Sequence, residues 1–283
     1  MPAALVPAAL VPAARGATAL ALALPLALAA CTGGGDARED GITVGGKFGT
    51  VPVVEFDPPL PIERAGVEVV QEGSGPVVED EEPLVITLSA FHGSDGTRLE
   101  GAGLPRVLFA TEEDLGPMLH GAIVGEPVGS RLLVTQPVEH EDDQEMHVTV
   151  VDILPTAVGG GGAAHGVHVT DTDHGPTIEL EEGATPSGAL DVTVLTRGEG
   201  EQVLPGQQVV LQYTIWEWNG HEVYDTTWDT GVPAVLELGT ASPGVRTGIL
   251  DQRTGSRLLI VVPPELGIGT DTLVVVVDVL AAG

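Results

Sequence analysis

The chain repeats itself, and the repeat limits what it can fold into. Val69-Val-Gln-Glu-Gly-Ser-Gly75 returns as Val194-Leu-Thr-Arg-Gly-Glu-Gly200, 125 positions on. Gly129-Ser-Arg-Leu-Leu133 returns as Gly255-Ser-Arg-Leu-Leu259, and Val148-Thr-Val-Val-Asp-Ile-Leu154 as Val274-Val-Val-Val-Asp-Val-Leu280, each 126 positions on. Three segments recurring in the same order at one spacing mean two copies of one domain. The lead-ins agree as well, since Val53-Val-Glu-Phe56 and Thr177-Ile-Glu-Leu180 are both short alternating runs. This divides the chain into a leader (1–30), a flexible tether (31–64), a first domain (65–155), a Gly-rich acidic linker (156–185) and a second domain (186–283). Within the tether, Val51 to Phe56 is expected to pair onto the first domain as an edge strand. In the linker, Gly159 to Gly162 is the flexible part.

The leader reads as an address. Ala17 to Ala30 is an apolar run broken by Thr18 and Pro25, too short to span a bilayer comfortably and shaped like a signal h-region. Leu28-Ala-Ala-Cys31 follows a bacterial lipobox, a small-residue cleavage site closed by a cysteine. Export, cleavage before Cys31 and lipid attachment to its sulfur are the expectation, with an ordinary secretory signal as the alternative. Cys31 is the sole cysteine, which excludes an intramolecular disulfide. The formal net charge of −30 repels nucleic acid and anionic membrane surfaces, so a lipid anchor is the one membrane contact expected.

Each copy reads as several short strands and one weak helix. Val209, Leu211, Tyr213 and Ile215 alternate onto one strand face. Asn219-Gly220 is a hairpin-turn signal, matched by Asp95-Gly96 in copy one. Leu258 to Val262 is a short apolar strand bounded by Gly255 and by Pro263-Pro264, which cannot continue a ladder. Five of the chain's nine aromatics fall between 213 and 228: Tyr213, Trp216, Trp218, Tyr224 and Trp228. The cluster suits an aromatic-lined pocket; it also suits a sheet, where aromatics are favoured anyway.

The order Gln207-Gln-Val-Val-Leu-Gln-Tyr213, Tyr224-Asp225, Gly255-Ser-Arg257, Leu258–Val262, Pro263-Pro-Glu-Leu-Gly-Ile-Gly269 and Thr272-Leu-Val-Val275 resembles the FKBP-type peptidyl-prolyl isomerases. The resemblance covers about residues 190–283. It implies an α+β fold: two FKBP-like domains, each an antiparallel β-sheet curved around one short helix. In copy two that helix is placed near Arg246 to Gln252, although Thr247 and Gly248 lower helix propensity there.

The resemblance also implies roles for residues of copy two. Tyr213 matches the pocket tyrosine. Tyr224 and Asp225 match a Phe-Asp pair, whose aspartate accepts a hydrogen bond from the Tyr213 hydroxyl and faces the substrate carbonyl. Elsewhere the sequence departs from the family. Ala241-Ser242 replaces a Val-Ile pair, leaving the Ser242 N–H as a substrate donor. Val245 replaces the floor tryptophan, Ile268 a loop tyrosine that donates its hydroxyl, Val275 an aromatic on the last strand, and Ala234 a wall aromatic. Copy one has Leu88 for Tyr213, Leu99-Glu100 for Tyr224-Asp225 and Leu119 for Val245, so no isomerase activity is expected from it.

Prolyl isomerisation requires neither nucleophile, metal nor cofactor, and none is expected. His140 to His147 and the set His165, His168, Asp171, Asp173, His174 are rich in ligand-type residues. Neither has a closed-site spacing, and both read as solvated loops. The resemblance thus implies a tandem lipoprotein in the actinobacterial style, anchored outside the cell membrane through Cys31. It would isomerise prolyl bonds in unfolded or exported proline-containing polypeptides, with the second domain as the active unit. The alternative is a non-catalytic scaffold of the same fold that binds a protein partner or client.

Overall fold

A computed structural model describes residues 41–140 and 143–283. The leader, Cys31 and the start of the tether lie outside the described residues. In chain order the elements are β1 (Thr43–Gly45), β2 (Val53–Glu55), β3 (Gly66–Gln71), β4 (Pro83–His92), β5 (Pro105–Phe109), α1 (Glu112–Ile123), β6 (Arg131–His140), β7 (Asp143–Leu154), β8 (Gly162–Ala164) and β9 (Val167–Thr172). They continue with β10 (Gly175–Leu180), β11 (Asp191–Thr196), β12 (Gln208–Glu217), β13 (Val223–Thr226), β14 (Ala234–Glu237), α2 (Pro243–Ile249), β15 (Ser256–Val262) and β16 (Leu273–Ala282).

The repeat becomes two antiparallel sheets of one topology, an α+β fold. The first has strand order β3-β6-β7-β4-β5. The second runs β11-β15-β16-β12-β13, with β14 pairing β12 as β5 pairs β4. One helix crosses the inner face of each. Leu84, Ile86, Leu132, Val134, Val151 and Ile153 meet Leu115 and Ile123 of α1. Val209, Leu211, Leu258, Ile260 and Val277 meet Ile249 of α2.

Strands buried on both faces read as unbroken apolar runs rather than alternating ones. Every residue of β15 is buried, as is nearly all of β16. Their second faces are covered by chain expected to be tether and linker, a correction to both expectations. Residues 156–185 carry a three-stranded meander, β8-β9-β10, which packs Val167 and Val169 against Trp216, Trp218, Leu259, Val261, Val274 and Val276. On the first sheet, β1 pairs β2, and Ile42 and Val44 pack against Phe91, Leu133, Val148 and Val150. The run Val51 to Phe56 therefore joins β1 across the sheet's outer face instead of extending its edge. Burying four or more branched side chains outweighs the freedom of a Gly-rich segment.

Each outer layer is latched by a buried ion pair. Arg257 and Asp278 face each other across β15 and β16, both about 1% exposed, with Nε–Oδ1 and Nη2–Oδ2 distances of 2.5 and 2.8 Å. The Arg257 guanidinium also donates to the Gly160 carbonyl and to the Asp171 carboxylate, and Asp278 accepts from the Val158 N–H at 2.8 Å. In copy one Arg131 and Asp152 repeat the pair at 2.6 and 2.7 Å. That guanidinium reaches the Gly46 and Lys47 carbonyls, while Asp152 accepts from the Gly49 N–H at 2.7 Å. The two copies also share a core patch: Val85 and Leu154 of the first meet Val210, Leu280 and Ala281 of the second.

Candidate active site

On β12, alternation sends Leu211, Tyr213 and Ile215 to the inner face of the second sheet. Across from them stand Ala234 and Leu236 of β14, Ala241 and Ser242 at the mouth of α2, and Val245 one turn into it. With Asp225, Ile268, Val275 and Val277 they line a cavity of about 400 Å³. That size suits a small apolar ring with its flanking amides. Val275 is buried and forms part of the base; Val245 is half-buried; Ile268, 42% exposed, stands at the rim.

The polar end of the cavity is held by β13. The Thr227 N–H donates to the Tyr213 carbonyl at 3.0 Å, the Tyr213 N–H donates to Thr227 Oγ1 at 2.8 Å, and the Thr214 and Thr226 hydroxyls meet at 2.9 Å. This clamp places Asp225 opposite Ile215, on the cavity side. The Tyr213 hydroxyl then donates to Asp225 Oδ2 at 2.8 Å. Burial, reinforced by that acceptor, pushes the Tyr213 phenol up to about 12, so it remains a neutral donor at any physiological pH.

Seven of the eight expected active-site residues therefore converge: Tyr213, Asp225, Ala234, Ser242, Val245, Ile268 and Val275. Tyr224 does not line the cavity and is 50% exposed. The β12–β13 register shifts between Ile215 and Trp216, and Tyr224 falls at that irregularity beside Asp225, which faces the cavity. The expected aromatic wall is absent at this point. Cys31 lies outside the described residues.

α2 starts earlier than expected, with Pro243 in its first turn and Ser242 as N-cap. Its glycines explain its poor helix propensity. A Cβ on Gly244 would sit 2.4 Å from Val262 Cγ1 and 3.1 Å from the Leu266 carbonyl oxygen. Glycine thus lets the helix start lie directly on β15, which sets Ser242 and Val245 against the cavity. The Ser242 side chain makes no capping hydrogen bond.

In copy one, Leu88 of β4, Leu108 of β5 and Leu119 of α1 pack onto the first domain's core. Leucines occupy the places where copy two has Tyr213 and Val245. The expected loop at 140–147 is also corrected. Glu145 and His147 belong to β7, half-buried, and meet His92 of β4, a residue that the sequence pattern did not single out. The linker set is dispersed over the meander, with His168 on Glu181 at 2.9 Å and Asp171 on Arg257.

Residues 199–276 match the family model described as FKBP-type peptidyl-prolyl cis-trans isomerase. A probable FK506-binding protein of Corynebacterium glutamicum is 29% identical over 116 residues, covering 38% of this chain and 98% of that protein. The chloroplastic peptidyl-prolyl cis-trans isomerase FKBP20-2 of Arabidopsis thaliana is 39% identical over 72 residues, 25% of this chain, and the match spans only 29% of that relative's length. Among solved structures, a putative peptidyl-prolyl cis-trans isomerase FKBP12 from Mycobacterium tuberculosis is 30% identical, with 35% of this chain and 88% of that chain covered at a TM-score of 0.29.

Proposed function

We propose, for a chain whose C-terminal domain belongs to the FKBP-type peptidyl-prolyl cis-trans isomerase family, that this domain takes prolyl segments of exported polypeptides into the Tyr213–Asp225 cavity and speeds their cis–trans isomerisation. The observation that carries the reading is the convergence of the Tyr213–Asp225 hydrogen bond with an apolar cavity of about 400 Å³.

The chemistry is a rotation. Amide resonance sets a barrier of about 18–20 kcal/mol, and the prolyl amide has nearly balanced cis and trans forms. In the twisted state the C–N bond loses its double-bond character, and the carbonyl stops drawing charge from nitrogen. A dry cavity disfavours the more polar, planar amide relative to that state. Leu211, Ile215, Val245, Val275 and Val277 hold the pyrrolidine ring away from water. The Ser242 N–H donates to a substrate carbonyl, and the Asp225 carboxylate faces the carbonyl that turns. Tyr213 fixes the carboxylate's position.

The competing reading is a non-catalytic client binder, favoured by Val245 and Ile268, which supply neither an aromatic floor nor a hydroxyl. Peptide binding separates either reading from no function at this cavity. Paired peptides with proline or alanine at the central position are titrated against the chain lacking residues 1–30. Proline-dependent binding that Asp225→Ala weakens is expected; equal binding of both peptides would contradict proline recognition here.

The site of action is proposed on the lipobox Leu28-Ala-Ala-Cys31. A lipid on Cys31 holds the chain at the outer face of the cell membrane. Cys31→Ser is expected to shift the protein from the membrane fraction to the soluble one. An unchanged distribution would argue against the anchor.

A further inference from the structure

We infer that His92, Glu145 and His147 of the first domain form a binding site for a divalent metal ion of the zinc class. The three residues come from two paired strands. His92 and His147 are direct partners in the β4–β7 register, and Glu145 precedes His147 by two residues, so all three side chains leave the same sheet face. Their ligand atoms all lie within 4.8 Å of one another. Glu145 Oε1 lies 2.6 Å from His92 Nδ1 and 3.1 Å from His147 Nε2. The two imidazole rings stand edge to face, with centroids 5.3 Å apart and planes at 83°.

The donor set is that of a metal site, while the separations of 2.6 and 3.1 Å are those of hydrogen bonds between the ligands. Two imidazoles and one carboxylate form the three-ligand pattern of open zinc sites, with metal–nitrogen and metal–oxygen bonds of about 2.0–2.2 Å. Tetrahedral bonds of that length place donor atoms roughly 3.3 Å apart. Binding would widen the present 2.6 and 3.1 Å separations by a few tenths of an ångström and displace the protons that now bridge them. Imidazole nitrogen selects zinc-like ions over calcium or magnesium, which take oxygen ligands.

The surroundings resemble a built site. Ser94 Oγ donates to Glu145 Oε2 at 2.6 Å, which leaves Oε1 turned to both imidazoles. Such outer partners orient first ligands. His92, Glu145 and His147 have side chains 34, 19 and 12% exposed, so the ligands are largely enclosed while one side stays open. Glu145 and Ser94 also border a cavity of about 390 Å³ with Pro59, Leu60, Ile62, Gln144 and Met146. A water or a small anionic ligand would take the fourth position. Copy two has Glu217, Asp271 and Leu273 at the matching positions, so the site belongs to the first domain alone. It stands apart from the Tyr213 cavity, and its failure would leave the isomerase reading untouched.

The test uses the whole chain without residues 1–30. An acidic surface binds cations loosely, so the probe must report geometry as well as uptake. Cobalt(II), titrated as a zinc substitute, is expected to give intense tetrahedral visible bands at one equivalent, displaced by one equivalent of zinc. His147→Leu, which installs the residue that copy two carries at that position, should abolish the bands and weaken zinc binding at least ~10-fold; Ser94→Ala should weaken it by about 10-fold or more. Cobalt spectra of octahedral type only, or zinc affinity unchanged in a folded His92→Gln, His147→Leu double variant, would overturn the site.

Discussion

The hydroxyl of Tyr213 on β12 donates to Asp225 Oδ2 on β13 across 2.8 Å, at the polar end of an otherwise aliphatic cavity. The pair joins two residues twelve positions apart through a Thr-clamped strand pairing, and its position is therefore set by the sheet rather than by a loop. This rigidity is what a catalyst of bond rotation needs, since its groups must stay in place while the substrate turns.

The titration of Tyr213 follows from that pair. Burial and the Asp225 acceptor raise its pKa to about 12 from an unfolded value of 10.0. The folded state thus holds the proton where the unfolded chain releases it. Stability contributed by this group is complete below pH 10 and is lost as pH rises from 10 to 12. Tyrosinate absorbance should show a step near 12 that Tyr213→Phe removes and Asp225→Asn moves to lower pH. A Tyr213→Phe titration superimposable on the parent would contradict the buried donor.

The buried latch makes a prediction of opposite signs. Arg257→Met leaves Asp278 buried and unpaired beneath the meander and should destabilise the chain by about 3–5 kcal/mol, whereas in Asp278→Leu the guanidinium keeps Asp171, so that loss should be smaller. The double variant should recover most of that loss, because two apolar side chains of similar size replace the pair. Urea midpoints of the two single variants and the double variant measure it. Additive losses would mean that the pair is not coupled.

Gly244 is expected to resist a change that helix propensity alone favours. Alanine would gain up to about 1 kcal/mol in an isolated helix. Here its Cβ meets Val262 Cγ1 at 2.4 Å, and the stiff valine cannot turn away freely. Gly244→Ala should be destabilising by about 1–3 kcal/mol. A stabilised variant in thermal unfolding would show that α2 has room to move.

The half-buried Val245 leaves the cavity without an aromatic base. Val245→Trp should tighten binding of proline peptides by about 1–2 kcal/mol, roughly 5- to 30-fold, through added apolar area against the ring. Weaker binding, with the fold intact, would mean that the substrate uses the space that tryptophan fills.

Much of this architecture was legible in the sequence, and the gaps have physical causes. Two of the three recurring segments place β6, β7, β15 and β16 and the third β3 and β11, because strands buried on both faces read as near-continuous apolar runs, interrupted here by the buried Arg–Asp pairs. The meander was missed for the opposite reason: Gly159 to Gly162 reads as flexible. In the structure Gly160 has φ +103°, donates to Asp171 and accepts from Arg257, so the glycines serve a tight turn under a latch. The signal was there in Val167, Val169, Ile178 and Leu180, which alternate. The Arg-Asp latch was visible too, since both residues recur at one spacing. α2 was hard to place because close contact with β15 demands the glycines that hide a helix. Tyr224 is exposed outside the cavity because successive strand residues alternate faces, so the neighbour of the cavity-facing Asp225 turns away, which the period-2 pattern already implies. His92 joins Glu145 only through strand register, 53 positions away.

The central claim is that the second domain turns prolyl bonds at the Tyr213–Asp225 cavity. A protease-coupled assay on a proline-containing tetrapeptide tests it most directly, using the chain without residues 1–30 beside a folded Tyr213→Phe, Asp225→Ala variant. The account predicts isomerisation above the uncatalysed rate that falls at least ~10-fold in the variant, a conservative threshold beside the roughly 10²–10³ that one positioned donor can contribute. A folded parent that leaves the rate unchanged, or a variant as fast as the parent, would contradict it.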